Sequence, residues 1–279
     1  MTPVEKAVWY IESHFADAIG LEDVAAIAGV SRYHLVRAFG AVTGYSVMRY
    51  IRARRLSEAA KLLATGAGTI LDAAIEAGYG SHEAFTRAFR QQFGVAPETL
   101  RTEGGLRSIK LVEPIKMDET HLETLAPPRF EDGKALLIAG LRERYDHEGS
   151  AAIPSQWQRF QPYIGNIAHQ RGNVAYGVCY NTDENGNMDY LSGVEVSSFD
   201  DLPPELDRVR LPPKHYAVFR HDDHVATIRR SWMTIFGKWF PASGYEAEDA
   251  PVFERYPETF DPQTGLGGFE LWIAVRRKA

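Results

Sequence analysis

Two seven-residue sets, Ser31-Arg-Tyr-His-Leu-Val-Arg37 and Ser81-His-Glu-Ala-Phe-Thr-Arg87, lie 50 residues apart with the same opening and closing groups. Each begins on a serine able to cap a helix. Each ends on an arginine whose guanidinium can fork onto O6 and N7 of a guanine. A third set lies near the far end. Glu270 and Trp272 alternate in the apolar run Phe269–Val275, so they share one face of a strand while Leu271 and Ile273 take the other. A carboxylate beside an indole in a partly dry cleft suits a cation, by charge attraction and by the electron-rich ring face. Trp157, Tyr176, Trp232 and Trp239 are further candidate walls of such a cleft.

The first two sets need helices to position them. Asp23–Phe39 and Asp72–Phe89 each read as a short helix, a tight glycine turn, a serine cap and a second helix. Ser31, Leu35, Arg37 and Phe39 match Ser81, Phe85, Arg87 and Phe89 at a constant offset of 50. A helix-turn-helix places one helix in the DNA major groove, so two of them imply two groove contacts by one molecule. Between them the pattern predicts a long helix from Val47 to Ala64, ending before Gly66 and Gly68. At ~1.5 Å per residue it spans ~28 Å, against ~34 Å between successive major-groove faces.

From about Ile109 the character changes. Strand-like runs appear at Ala135–Ala139, Val174–Tyr180, Gly193–Val196, His215–Phe219 and Phe269–Val275, with helical segments Pro154–His169 and Ala226–Phe240 between them. Ile153–Trp157 matches Ile228–Trp232 at an offset of 75, and the order reads β-α-β-β twice. The expected architecture is multidomain. An all-α double helix-turn-helix domain spans 1–101 and a linker 102–116, and an α+β domain of two β-α-β-β repeats spans 117–279.

Composition narrows the classes. The 279 residues carry a net charge of −6, which argues against nucleic acid until it is divided along the chain. Residues 1–108 hold 12 Lys+Arg and 11 Asp+Glu, for +1, and 109–279 hold 19 and 26, for −7. Arg32, Arg37, Arg49, Arg52, Arg54 and Arg55 fall in one stretch with no acid, the footprint a phosphate-binding face needs. No apolar run approaches the ~20 residues of a membrane span. The single cysteine, Cys179, excludes an internal disulfide and reads as core. His221-Asp-Asp-His224 has the residue types of a metal site, but adjacent ligands rarely close one, and it reads as a turn and cap.

The first hundred residues resemble the DNA-binding domain of the AraC/XylS family. The resemblance rests on Leu21 with Ala25, Gly29 and Ser31; on Tyr50-Ile51 with Arg54-Arg55-Leu56, Ala59 and Leu62-Leu63; on Ile75 with Gly78-Tyr79; and on Phe85, Phe89, Phe93-Gly94 and Pro97. The C-terminal portion resembles the GyrI-like effector-binding domain in Trp232–Tyr245, Phe253-Glu-Arg-Tyr256 and Glu270-Leu-Trp272. The order is that of the Rob-type subgroup.

The resemblance implies a transcription regulator that binds double-stranded DNA, contacts RNA polymerase and answers to a small aromatic or cationic effector. It implies a cytoplasmic, nucleoid-associated protein with no cofactor, metal or catalytic residue. DNA contacts fall on Ser31, Arg32, Tyr33, Val36 and Arg37, on Arg52, and on Ser81, His82, Glu83, Thr86 and Arg87. Arg49, Arg52 and Arg54 fit rod-stabilising or phosphate contacts better than base reading. Val36 and Ala84 depart from the polar residues some relatives use, so the operator is not given by the sequence.

Two alternatives keep the DNA-binding domain and change the rest: a GyrI-like hydrolase with Glu270 as base and Tyr176 as donor, or a protein-interaction module such as a topoisomerase antagonist. A third, an alkyl-transfer repair protein, needs reactive cysteines, and the lone Cys179 argues against it.

Overall fold

A computed structural model describes residues 1–66, 68–103, 105–116, 125–146 and 149–278. Ten α-helices and nine β-strands are assigned among them. The contacts divide the chain into two compact units. One holds Pro3–Gly29 and Val47–Met117, the other Val30–Ser46 and Asp118–Ala279. This is not the division at 101 and 117 that composition suggests. Residues 30–46 form their contacts with the second unit, and position 117 lies outside the described residues.

In the first unit, α1 (Pro3–His14) and α2 (Leu21–Ala28) precede the long α4 (Val47–Ala64), and α5 (Ile70–Glu76), α6 (His82–Phe93) and α7 (Pro97–Glu103) follow it. The helix ends are where side-chain chemistry places them. Gly29 and Gly94 sit in left-handed conformation past α2 and α6, and Ser81 accepts from the amide of Ala84 at 3.2 Å. Leu56, Ala59, Ala60 and Leu63 of α4 pack on Ala73 and Ala74 of α5, on Ala77 at its C-terminal cap and on the ladder Phe85, Phe89, Phe93 of α6. The ladder residues are four apart, so their rings meet, at centroid separations of 5.4 and 4.7 Å.

The expected linker is not a free tether. Val112 donates to Ser57 Oγ at 2.9 Å and accepts from Arg54 at 2.8 Å, and Ile115 donates to the Tyr50 hydroxyl at 3.0 Å. Residues 105–116 are thereby strapped to α4.

In the second unit, α3 (Arg32–Thr43) is followed by β1 (Arg129–Asp132), β2 (Leu136–Tyr145), α8 (Ile153–Phe160), β3 (Gln170–Tyr180), β4 (Met188–Val196), β5 (Asp207–Leu211) and β6 (His215–His221). Then come α9 (Ile228–Thr234), a π-helical turn Ile235–Trp239, α10 (Phe240–Ser243), β7 (Tyr245–Ala247), β8 (Val252–Tyr256) and β9 (Phe269–Arg277). The strands form one antiparallel sheet in the order β1-β6-β9-β8-β3-β4-β2-β5, with β7 on β9. Two β-α-β-β repeats are present, β2-α8-β3-β4 and β6-α9-β8-β9, meeting at the β3–β8 pair.

The short strands cross over. β1, which precedes the first repeat, pairs with β6 of the second, and β5 pairs with β2. Each half therefore closes the edge of the other. Alternating residues feed two cores. Ile138, Val178, Leu191, Phe253 and Trp272 share one face, and Ala139 and Val194 share the other with Phe160 of α8.

Candidate nucleic-acid interface and effector site

Five side chains of α6 converge on one concave surface of about 360 Å³: His82, Glu83, Thr86, Arg87 and Arg90. Four of them are sequence-derived candidates. Arg90 is absent from that set, although it follows Thr86 by one helical turn. Arg87 and Arg90 are exposed. The Glu83 carboxylate is held below the usual range, first by its own backbone amide at the start of α6 and then by Ser81. The acid that seemed to repel phosphate thus serves as a helix-end group. Thr86 places a buried hydroxyl with no hydrogen-bond partner among the described residues beside the two arginines.

The candidates of α3 are placed differently. Ser31 caps the helix, accepting from His34 N at 3.2 Å, Arg32 is exposed and Val36 is half-buried. Tyr33 and Arg37 are not open. The Tyr33 hydroxyl donates to the carbonyl of Ala250, and Arg37 donates to the carbonyl of Cys179 at 3.3 Å. The Arg37 guanidinium lies 4.9 Å from the Tyr33 ring centroid.

Among the α4 arginines, Arg54 is 4% exposed and bonded to Glu12 at 3.0 Å and Glu58 at 3.1 Å, which fixes the rod. Arg55 donates to the carbonyls of Phe15 and Asp17. Arg52 is exposed at a cavity of about 170 Å³ shared with Met48, Arg55, Gly78 and Tyr79. The six-arginine run is therefore not six free cations. Arg54 and Arg55 are internal to the first unit, and Arg37 is engaged within the second.

The six aromatic and acidic candidates do not line one cleft. Tyr176, Glu270 and Trp272 lie on one face of the sheet, and Trp157 packs on the other. Trp232 stacks on Phe236 of the π-helical turn, and Trp239 meets Phe219 of β6 edge-on at 4.9 Å. Glu270 is not an unpaired acid. Arg129 contacts it at 2.9 Å, Arg255 at 3.4 Å, and Trp272 Nε1 donates to it at 3.0 Å. Burial raises its pKa, but these hydrogen bonds and charges outweigh burial and leave it below the ordinary range. The cation expected over Trp272 is supplied by the chain itself, since Arg129 lies 5.6 Å from its ring. The same pairing weakens Glu270 as a base for hydrolysis.

Another carboxylate fits the expected chemistry better. Glu254 of β8 is 6% exposed and accepts from the hydroxyls of Tyr190 at 2.7 Å and Tyr256 at 2.8 Å, with no ion pair among the described residues. Trp157 Nε1 donates to the Tyr190 hydroxyl at 3.1 Å, and its ring meets Tyr256 edge-on at 5.5 Å. Burial pushes Glu254 up to about 7, against the lowering effect of the two hydroxyls. Gly177, opposite it on β3, makes room. A Cβ there would fall 2.1 Å from the Tyr190 hydroxyl and 2.4 Å from Glu254 Oε2. Glu254 is absent from the sequence-derived set. The alternation Glu254–Tyr256 in Phe253-Glu-Arg-Tyr256 carries the same one-face spacing as Glu270–Trp272 and points to it.

The remaining motifs are structural. His221 meets Ser231 Oγ at 2.9 Å, Asp222 binds Arg220 at 2.7 Å and His224 accepts from Ala226 N at 3.1 Å, so 221–224 is a turn and cap. Burial, then Glu254, push the Cys179 thiol up to about 12, far from a reactive thiolate. No helix among the described residues is long and apolar enough to cross a membrane.

A helix-turn-helix region with an arginine-bearing recognition face, joined to a two-repeat α+β domain with a buried carboxylate, defines a DNA-binding regulator with a small-molecule domain. Known proteins agree. Residues 126–276 match the GyrI-like small molecule binding domain and residues 24–103 match a helix-turn-helix domain. The chain belongs to the GyrI-like family, with the AraC-type helix-turn-helix in front, in the Rob-type order.

It is 26% identical to the right origin-binding protein of Escherichia coli K12, over 97% of this chain and 96% of that one. It is 25% identical to the transcriptional regulator Rob of Salmonella typhimurium, over 92% and 91%. The DNA-binding portion is 36% identical to the regulatory protein SoxS of E. coli K12, over 35% of this chain and 92% of SoxS. The chain is an AraC-type transcription regulator with a small-molecule binding domain.

Proposed function

We propose that this regulator reads duplex DNA through His82, Thr86, Arg87 and Arg90 of α6 and through α3, and that it responds to a small aromatic, cationic effector at Glu254. The observation that carries the effector reading is a buried carboxylate held, among the described residues, by tyrosine hydroxyls alone and walled by Trp157 and Tyr256. A neutral acid at this depth becomes a carboxylate when a cation arrives, and aromatic rings repay part of the cation's lost hydration. Trp157 is the one sequence-derived ligand candidate that joins this site; the other five give way to Glu254, Tyr190 and Tyr256. RNA polymerase is the proposed protein partner, as for a regulator of this class, and the cytoplasmic nucleoid the proposed location.

Calorimetric titration of the full chain with a lipophilic aromatic cation tests the effector reading. Affinity is expected to fall roughly tenfold per pH unit below about 7, because binding must then release the Glu254 proton. Glu254→Gln is expected to weaken cations and to flatten that pH dependence, leaving a neutral analogue unchanged. Equal cation affinity in the variant and the native chain would place the effector elsewhere. Selection of bound duplexes from a random pool tests the DNA reading, with Arg52→Ala expected to weaken all sequences alike and lower the salt slope by about 1.

A further inference from the structure

We propose that the effector-binding domain holds α3 as an internal competitor of DNA, so that the docked helix and the DNA-bound helix are mutually exclusive states. The proposal rests on the reading that α3 contacts a major groove. The helix docks by the same side chains that would reach the bases. The Tyr33 hydroxyl donates to the Ala250 carbonyl and Arg37 donates to the Cys179 carbonyl at 3.3 Å. Between them His34, 1% exposed, accepts the Ala247 amide at 3.1 Å and sets its ring edge-on to Phe240 at 4.8 Å and Phe236 at 5.7 Å. A base edge can engage Tyr33 and Arg37 only by displacing the carbonyls of Ala250 and Cys179.

The docked state is incomplete. Arg37 Nε is buried without a hydrogen-bond partner among the described residues. A guanidinium that rests on the Tyr33 ring, donates one long bond to a carbonyl and leaves Nε unsatisfied is held less firmly than one forked onto a guanine. The contact is therefore suited to exchange rather than to permanent packing.

One docking carbonyl, that of Cys179, lies on β3, and the other, that of Ala250, lies just before β8, the strand that carries the effector carboxylate. Gly177 faces Glu254 and Cys179 faces Val252 in the β3–β8 pair, so the Arg37 acceptor lies two residues along β3 from the glycine that makes room for Glu254. A ligand that draws Glu254 away from Tyr190 and Tyr256 acts on β8 and on its partner β3, next to the two carbonyls that hold α3. Effector occupancy and release of α3 are then linked equilibria.

Hydrogen exchange at the Ala247 amide of the full chain reads the docked state directly, because that N–H bonds to His34. The expected result is a slowly exchanging Ala247 amide in the free chain that exchanges at least roughly tenfold faster when a selected duplex is saturating. Phe240→Leu, which removes a ring from the docking surface without touching the reading side chains, is expected to bind that duplex about three- to tenfold more tightly, as the docked fraction is released.

Ala247 protection that persists in the duplex complex overturns the proposal, since α3 would then read DNA while docked. If the variant fails to fold, the exchange measurement on the native chain still decides. A chain that selects no duplex sequence removes the DNA reading and the proposal together, whereas a selected duplex with unchanged Ala247 protection overturns the proposal alone.

Discussion

The helices α3 and α6 are twins by sequence and opposites by surroundings. Both begin on a capping serine and carry an arginine six residues later. At the two positions that decide docking they differ. Tyr33 and His34 in α3 stand where α6 has Glu83 and Ala84. The tyrosine supplies a long-reach donor and the histidine a buried acceptor, and α3 is bonded to the effector-binding domain through both. Glutamate and alanine supply neither, and Arg87 is left exposed. At these two positions the repeated scaffold carries one helix bonded to the effector-binding domain and one whose arginine is exposed. The repeat that suggests equal roles therefore argues for unequal ones.

The contrast can be broken at several points. The largest effect is expected from Phe89→Ala, which empties the centre of the α6 aromatic ladder and should cost the first unit about 3–5 kcal/mol. Denaturant unfolding with separate probes of the two units should show the first transition move and the second stay. Equal shifts in both would mean that the contact division is not a division of stability.

Next is an acid-dependent difference confined to α3. Burial, then Lys278, lower His34 to about 4, with Glu246 opposing. Its neutral form is required, so the stability it contributes is present above about 6.5 and is lost as pH falls, by about 3 kcal/mol at pH 4. Glu254 runs the other way. With its folded value raised to about 7, its contribution is complete below about 4.5 and is lost as pH rises through 7. The two slopes offset in the native chain. His34→Gln should remove the His34 slope and leave the others, so the variant gains on the native chain by about 3 kcal/mol between pH 7 and 4. Urea melts that run parallel across that range would refute it.

A smaller effect is expected from Arg87→Ala, about 1–3 kcal/mol in affinity for the selected duplex, with preference relaxed at one base position. A uniform loss over all sequences would demote Arg87 to a phosphate contact. The smallest effect is expected from Thr86→Val. The Thr86 hydroxyl is buried and unpartnered, so its removal should change stability by no more than about 0.5 kcal/mol. A larger loss would reveal a bonded role for it.

Much of this was legible in the sequence, because the signals were local. Serine caps, glycine turns and the Phe85–Phe89–Phe93 spacing fix the helices without outside information, and the offset-75 repeat gives the β-α-β-β order. What was not legible depends on distant partners. Glu270 looks unpaired along the chain because Arg129 comes from β1, some 140 residues earlier. Glu254 looks ordinary because the hydroxyl of Tyr190 and the space at Gly177 come from other strands. Tyr33 and Arg37 look exposed because a helical period cannot show that a later domain covers them.

The exchange of edge strands has a consequence for synthesis. Arg129 of β1 pairs with Val218 of β6, so β1 leaves the ribosome about 90 residues before its partner. At roughly 5–20 residues per second that is a wait of about 5–18 s with an unsatisfied strand edge in the cell. The strand is short and reads Arg-Phe-Glu-Asp, three charges in four residues. Charge of that density discourages pairing with a neighbouring nascent chain. The polar strand that makes a poor strand signal is what lets the domain be made one end at a time without sticking to its copies.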